Sequence, residues 1–320
     1  MSTLEGRTAI VTGAGRGLGR SYALLLAREG ARVVVNDVGS SADGSGVDAS
    51  PAQSVVDEIV SAGGVAVANY DDISTHDGAQ RLVQQALDHF GDLHVLVNNA
   101  GILRDNFFHR MTEGDWDSVV AVHLKGHFGV LRHAVAHWHA ESKAGRQVAA
   151  SVINTTSASG TYVVLPGQTN YGAAKSAIAS MSIIAASELG RIGVRVNAIA
   201  PGARTRMTEA TPGAIGERMR AVVEEGALDE YSPDNVSPLV AHLAAEDCTV
   251  TGRVLAVRGG EIREVLPWSL AEDRGLTSDS NWDVATVAAR LDEALTVEAP
   301  AVDALANGST LSSATREKTP

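Results

Sequence analysis

Over the first 260 positions, short β-branched runs alternate with stretches in which apolar residues recur every three to four places. Residues 8–11 and 32–36 are runs of the first kind, and 18–29 between them has helical spacing, which together predict a β-α-β unit. The alternation continues with predicted strands at 65–68, 93–97, 152–155, 194–199 and 254–257. Predicted helices lie at 80–89, 115–140, 173–189 and 236–245. Strands that read as unbroken apolar runs are covered on both faces, so the pattern predicts a parallel sheet between two helical layers. Right-handed crossovers then give an α/β, doubly wound, Rossmann-type fold in a single domain, residues 1–260.

Three stretches break the rhythm. Residues 38–51 are rich in Gly, Ser and Asp without periodicity and predict a long loop near the second strand end. Residues 205–230 contain a helix-forming stretch between Pro212 and Pro233, suited to a mobile lid. From Glu261 the pattern stops, leaving a C-terminal extension, 261–306, with one amphipathic candidate at 282–295. The Ser/Thr/Ala-rich tail, 307–320, is expected to lack fixed structure.

Composition narrows the class. The 320 residues are 44% hydrophobic and 20% charged, and no apolar run approaches the roughly 18 residues of a membrane span. Residues 1–7 lack the features of a secretory leader, and Cys248 is the only cysteine, so a cytoplasmic location is expected. A net charge of −12 argues against nucleic acid and anionic membrane as partners. No metal site is expected.

The segment Thr12-Gly-Ala-Gly-Arg-Gly-Leu-Gly19 follows the first predicted strand and opens the first helix. There the backbone of Gly13, Arg16, Gly17, Leu18 and Gly19 can approach a pyrophosphate without side-chain obstruction. Asp37 stands 18 positions after Gly19, where a carboxylate can accept hydrogen bonds from ribose hydroxyls and repel a 2′-phosphate. This favours NAD over NADP, although Arg16 could reach such a phosphate. The plain alternative for Asp37 is a surface-loop aspartate.

Tyr171 and Lys175 are one helical turn apart and share a face. A nearby ammonium favours a phenolate, so this spacing suits acid/base work, with Ser157 placed to hydrogen-bond a substrate oxygen. Alone, such a Tyr/Lys pair is more often surface decoration.

Taken in order, Thr12-Gly-x-x-x-Gly-x-Gly19, Asn98-Asn-Ala-Gly101, Ser157, Tyr171-x-x-x-Lys175 and Pro201-Gly202 resemble the short-chain dehydrogenase/reductases over about residues 5–260. The resemblance implies that Ser157, Tyr171 and Lys175 are catalytic. It also implies that the glycine turn, Asp37, Asp71 or Asp72, Asn98, Ala100, Gly101, Pro201 and Gly202 meet the cofactor, with Tyr171 and Lys175 contributing. Val35-Asn-Asp-Val38, Ala68-Asn-Tyr-Asp71, Gly101-Ile-Leu-Arg-Asp105, Asp115-Trp-Asp117, Val122-His-Leu124, Thr156-Ser-Ala-Ser-Gly160 and Arg206-Met-Thr208 are similar to a narrower group. That group is the (3R)-hydroxyacyl-CoA dehydrogenase domain of the peroxisomal multifunctional enzymes of type 2, with its bacterial single-domain relatives.

This narrower resemblance implies a thioester of CoA, fatty or steroid, as the substrate. Arg104 and Arg206 are the leading candidates to meet its phosphates, with Arg204 and Arg263 behind them, though any of these is most simply a solvated arginine. Residues 163–165 could wall an acyl or steroid pocket. It also implies a homodimer or homotetramer, with the extension helping to pair subunits or cover the site. His123 replaces an Asn usual in the wider family, where that position helps hold a water linking the lysine to solvent, and is counted with the catalytic set. Ser157 precedes Tyr171 by 14 positions, one more than usual; the extra residue is assigned to 162–166, with Ser159 as the fallback. Rival readings are a dehydrogenase of free 17β-hydroxysteroids, a ketoreductase of carrier-protein thioesters, and a catalytically idle NAD-binding protein.

Overall fold

The structure, a computed structural model, describes residues 3–209, 214–223, 226–270 and 275–294. Two units divide the chain, Met1–Val265 and Leu266–Pro320. In the first, seven strands are parallel: β1 (Thr8–Thr12), β2 (Arg32–Asn36), β3 (Val65–Asn69), β4 (Val95–Asn98), β5 (Ala150–Thr155), β6 (Val194–Pro201) and β7 (Val254–Arg258). An eighth, β8 (Glu261–Glu264), turns back antiparallel on β7. The order β3-β2-β1-β4-β5-β6-β7-β8 reverses direction between β1 and β4. In doubly wound sheets the crevice for a ligand opens there, beyond the carboxyl ends of the strands.

The helices are α1 (Gly17–Arg28), α2 (Ser50–Ser61), α3 (His76–Phe90), α4 (Glu113–Val120), α5 (Gly126–Lys143), α6 (Thr169–Leu189), α7 (Arg206–Glu209), α8 (Ala214–Arg220) and α9 (Ser237–Ala244). Successive side chains of each strand serve opposite layers. Ala9, Val11, Val33 and Val35 pack with Tyr22, Leu26, Val55, Ile59, Leu239 and Leu243 of α1, α2 and α9. On the other face Ile10 and Val34 join Leu82, Val83, Val130 and Trp138 of α3 and α5. Each large side chain buried this way contributes on the order of 2 kcal/mol. Trp138 also donates its indole N–H to the Leu93 carbonyl at 2.6 Å, so its one polar atom is satisfied.

Four features depart from the sequence pattern. Helix α2 follows the long loop, with Pro51 in its first turn, where a missing N–H costs nothing, and Val55, Val56 and Ile59 buried. The helix expected over 115–140 is two, α4 and α5, joined by a π-helical turn, Ala121–Lys125. Glu261–Glu264 forms the edge strand β8 where no strand was expected. The helix-forming stretch within 205–230 becomes the short α7 and α8; residues 210–213 and 224–225 lie outside the described ones.

In the second unit, α10 (Val284–Ala294) occupies the expected amphipathic stretch. The Asp283 carboxylate accepts the Thr286 N–H at 2.8 Å at its start, and the Arg290 guanidinium lies 5.6 Å from the Trp282 ring centre. The expected unstructured tail falls outside the described residues. Among the described residues no helix is long and apolar enough to cross a membrane.

Candidate active site

The turn between β1 and α1 is built around close backbone approach. Gly13 has φ +63°, and a Cβ there would stand 2.7 Å from the Ala100 Cα. A Cβ on Gly19 would stand 2.2 Å from the Gly13 carbonyl oxygen. Asn99 pins the same turn from β4, donating its side-chain amide to the carbonyls of Thr12 and Gly13 at 3.0 and 3.2 Å. Asp37, just past β2, accepts the Gly15 N–H at 2.8 Å through one oxygen and the Gly39 N–H at 2.7 Å through the other.

These groups border a cleft of about 520 Å³ at the sheet's crossover point, a size typical of small-molecule sites. Gly13, Arg16, Gly17, Leu18, Asp37, Asp71, Asp72, Ala100, Gly101, Arg104 and Arg206 all line it. Gly19 is buried beneath the turn. Asn98 is fully buried and donates to Asn154 Oδ1 at 3.0 Å and the His127 carbonyl at 3.3 Å, so its side chain braces the cleft floor while Asn99 lines the cleft. Pro201 and Gly202 close β6, where the Gly202 N–H donates to the Val257 carbonyl at 2.8 Å.

The loop after β2 crosses the cleft region to the segment after β4, where the Leu103 N–H donates to the Ala42 carbonyl at 3.0 Å. Arg16 and Arg206 converge on this loop, both donating to the Ser40 carbonyl, at 3.2 and 3.5 Å. Burial lowers the Arg206 pKa and the neighbouring Arg16 lowers it further, while Asp37 opposes both. Arg206 and Asp37 both line the cleft. Arg204 instead forms a two-bond ion pair with Asp229, and Arg263 pairs with Glu261.

Beyond β5 and in the first turns of α6 a second group assembles. The Ser157 hydroxyl accepts the Ser159 N–H at 3.2 Å and acts on the Tyr171 phenol by lowering its pKa, which sets Ser157 rather than Ser159 beside the tyrosine. Lys175 is buried, donates to the Thr155 carbonyl at 2.6 Å, and lies 5.6 Å from the Tyr171 ring centre. His123, in the π-helical turn, is buried edge-on to Tyr171 at 5.2 Å. Its Nε2 is within 3.0 Å of the Ile102 N–H and 2.8 Å of the Ile102 carbonyl, so either tautomer has a main-chain partner. A Cβ on Gly101 would stand 2.3 Å from that imidazole, which explains the glycine beside it.

The electrostatics differ from the simple expectation of an ammonium lowering a phenol. Burial raises the Tyr171 pKa, opposed by the Ser157 hydrogen bond and reinforced by the Asp105 charge. Burial also brings Lys175 from its usual 10.5 down to about 7, so the ammonium is itself disfavoured. His123 is pushed well below 6.5, first by burial and then by Lys175, and stays neutral.

Sequence reasoning passed over Asn99, Asn170 and His127. Asn170 accepts the Tyr171 N–H at 2.7 Å and donates to the Arg104 and Asp115 carbonyls, anchoring the tyrosine. Its signal was adjacency to Tyr171. His127, one turn after His123, is fully buried, and neither ring nitrogen has a protein partner. Among the described residues no three His, Cys, Asp or Glu side chains gather as a metal site requires.

A short chain dehydrogenase family model matches residues 7–214. The chain belongs to this family. This short-chain dehydrogenase is 43% identical to the hydroxyacyl-CoA dehydrogenase ChsB1 of Mycobacterium tuberculosis over 296 residues, covering 90% of the chain and 88% of the relative. It is 43% identical to mouse peroxisomal multifunctional enzyme type 2 over 258 residues, which are 81% of this chain but 32% of that enzyme. Its fold matches a short chain dehydrogenase from Mycobacterium avium with TM-score 0.79 and 47% identity, covering 92% and 96% of the two chains. A short chain dehydrogenase from Burkholderia cenocepacia solved with NADP matches at TM-score 0.68 and 29% identity, over 81% of this chain and 98% of that one. The dehydrogenase is thus an oxidoreductase with a nicotinamide cofactor, and the tight glycine turn, with Gly13 and Gly17 on the cleft wall, fits such a dinucleotide.

Proposed function

We propose that the protein is an NAD-dependent dehydrogenase of (3R)-3-hydroxyacyl-CoA, forming the 3-ketoacyl-CoA in fatty-acid or steroid side-chain β-oxidation. The Ser157–Tyr171 hydroxyl pair backed by buried Lys175 carries this reading. Similarity to ChsB1 along nearly the whole of both chains supports the substrate class. The glycine turn and Asp37 hold the dinucleotide, with Asp71, Asp72, Ala100 and Gly101 along the cleft. Bound NAD supplies the hydride acceptor.

In the oxidative direction Ser157 holds the substrate oxygen by hydrogen bond and Tyr171 takes the hydroxyl proton; in reduction Tyr171 returns it. Lys175 and neutral His123 complete the polar wall behind the phenol. Arg104, on the cleft wall, is assigned to the anionic part of the CoA ester. Arg206 shares that role, or, given its place beside Arg16, meets the dinucleotide. A homodimer or homotetramer is supported by exposed Phe128 on α5 and Ile184 on α6, and a cytoplasmic location by the single, unbridged Cys248.

The test is NADH formation with matched (3R)- and (3S)-hydroxyacyl-CoA esters beside a free 17β-hydroxysteroid. Turnover confined to the (3R) thioesters is expected; turnover of the free steroid alone would replace the reading with hydroxysteroid oxidation. The arginine pair favours a second cofactor reading, NADP. Asp37→Ala is expected to reduce the preference for NAD over NADP at least about tenfold, since it removes both a ribose acceptor and the charge repelling a phosphate. An unchanged ratio of kcat/KM values would remove Asp37 from cofactor selection.

A further inference from the structure

Between β2 and α2 the chain leaves the sheet and closes on itself. The Asp48 N–H donates to the Val38 carbonyl at 3.0 Å, which brings the two ends of the loop together as a neck. Beyond the neck the tip is held by its own bonds. The Ser41 N–H donates to the Ser45 carbonyl at 2.8 Å and the Gly44 N–H to the Ser41 carbonyl at 2.9 Å. The Asp43 carboxylate accepts the Ser45 N–H at 2.9 Å and the Ser45 hydroxyl at 2.7 Å. Gly39 and Gly46 flank this tip with φ of +73° and +79°, so the joints on both sides use a conformation that glycine adopts at little cost.

Strand order fixes what the tip covers. β2 and β4 flank β1 in parallel, so their carboxyl ends lie on either side of the glycine turn that follows β1. The Ala42 carbonyl, from the β2 side, accepts the Leu103 N–H, from the β4 side, at 3.0 Å. The loop therefore spans the end of β1. Gly13 and Gly17 line the cleft from the turn, and Ser41, Ala42 and Gly44 line it from the loop. The fastening is slight. Among the described residues the bond to Leu103 is the one main-chain tie from the tip to anything outside the loop. Beside it Gly44 rests on Ile102, where a Cβ would stand 3.0 Å from the Ile102 Cδ1. A single hydrogen bond of this kind is exchanged for water at small net cost.

We propose that residues 39–47 form a strap that covers the bound dinucleotide, and that the strap parts from Leu103 each time the cofactor enters or leaves. The inference rests on the glycine turn holding the pyrophosphate. Its consequence is kinetic: one opening step limits both uptake and release, so the strap slows exchange of the cofactor in both directions.

The experiment locks the strap in the full-length protein. Main-chain groups bonded across the gap leave their Cα atoms about 5–6 Å apart, within the reach of a disulfide. Ala42→Cys with Leu103→Cys is therefore oxidised, checked by thiol titration, and reversed with dithiothreitol; the one native cysteine, Cys248, is buried. Stopped-flow NADH fluorescence reads uptake and, on mixing with excess NAD, release. The oxidised protein is expected to take up NADH at least about 100-fold more slowly than the same protein reduced. Oxidised with NADH already in place, it is expected to release it at least about 100-fold more slowly. A disulfide that only spoiled the site would speed release, so uptake or release at the rate of the reduced protein, or faster, overturns the inference. Should the disulfide not form, replacing residues 40–46 with two glycines, which the closed neck permits, is expected to speed NADH release at least about tenfold; unchanged or slower release then overturns it. If the unmodified protein binds neither NADH nor NADPH, the cofactor assignment itself fails; if it binds either and the lock changes nothing, the strap alone fails.

Discussion

Tyr171→Phe is expected to lower kcat by about 10²–10⁴-fold while leaving cofactor affinity within about twofold of the wild type. The substitution removes one oxygen from a ring whose position is set by other bonds. The Tyr171 N–H stays on Asn170, and the edge-on His123 ring keeps its partner. What disappears is the atom that meets Ser157 and exchanges a proton with substrate. Stopped turnover with unchanged cofactor titration would locate the defect in proton transfer. Residual activity within tenfold of the wild type would transfer the acid/base role to another group, with Ser157 and Lys175 the next to test.

The second large effect is expected from Gly19→Ala, at the level of cofactor binding. The added methyl would stand 2.2 Å from the Gly13 carbonyl oxygen and 2.7 Å from Asn99 Nδ2, and one of these contacts is with backbone. The turn must open, at a cost of about 1–3 kcal/mol, equivalent to a loss of roughly 5- to 150-fold in affinity if the strain falls on the bound form. Calorimetric titration with NAD measures it. Gly114→Ala is the control, because its Cβ would meet nothing nearer than 3.9 Å. Equal affinities in the two variants would show that the turn is not where the dinucleotide binds.

The parallel sheet was legible because each strand is buried on both faces and therefore reads as an apolar run, with helices between at their own period. Elements whose signal is not apolar periodicity were not. Helix α2 begins on Ser50-Pro51, residues that also close loops, and only its later turns carry Val55, Val56 and Ile59. Strand β8, Glu-Ile-Arg-Glu, has one exposed apolar residue and owes its conformation to pairing with β7. The π-helical turn has no composition of its own, since a helix of either width continues the same apolar face, yet it carries His123.

Within the site, motif order pointed to Ser157, Tyr171 and Lys175, which the fold brings together. It could not tell Asn98 from Asn99. Asn98 ends β4 and enters the core, whereas Asn99, just past the strand, lines the cleft. Nor could it give the sign of the Tyr171 shift, because charge spacing is visible in a sequence and desolvation is not.

Lys175 places chemistry and folding in opposition. Its ammonium is buried and donates to the Thr155 carbonyl, and its pKa falls to about 7 from 10.5. Between those values the unfolded chain binds a proton that the folded chain does not, so the native state gains ground as solution turns alkaline and bears the full penalty below about pH 7. A displacement of that size corresponds to something on the order of 5 kcal/mol, a large share of what holds a domain together. The remainder of the core is therefore more stable than its net balance shows, and the reserve is spent on keeping one amine dry beside a phenol.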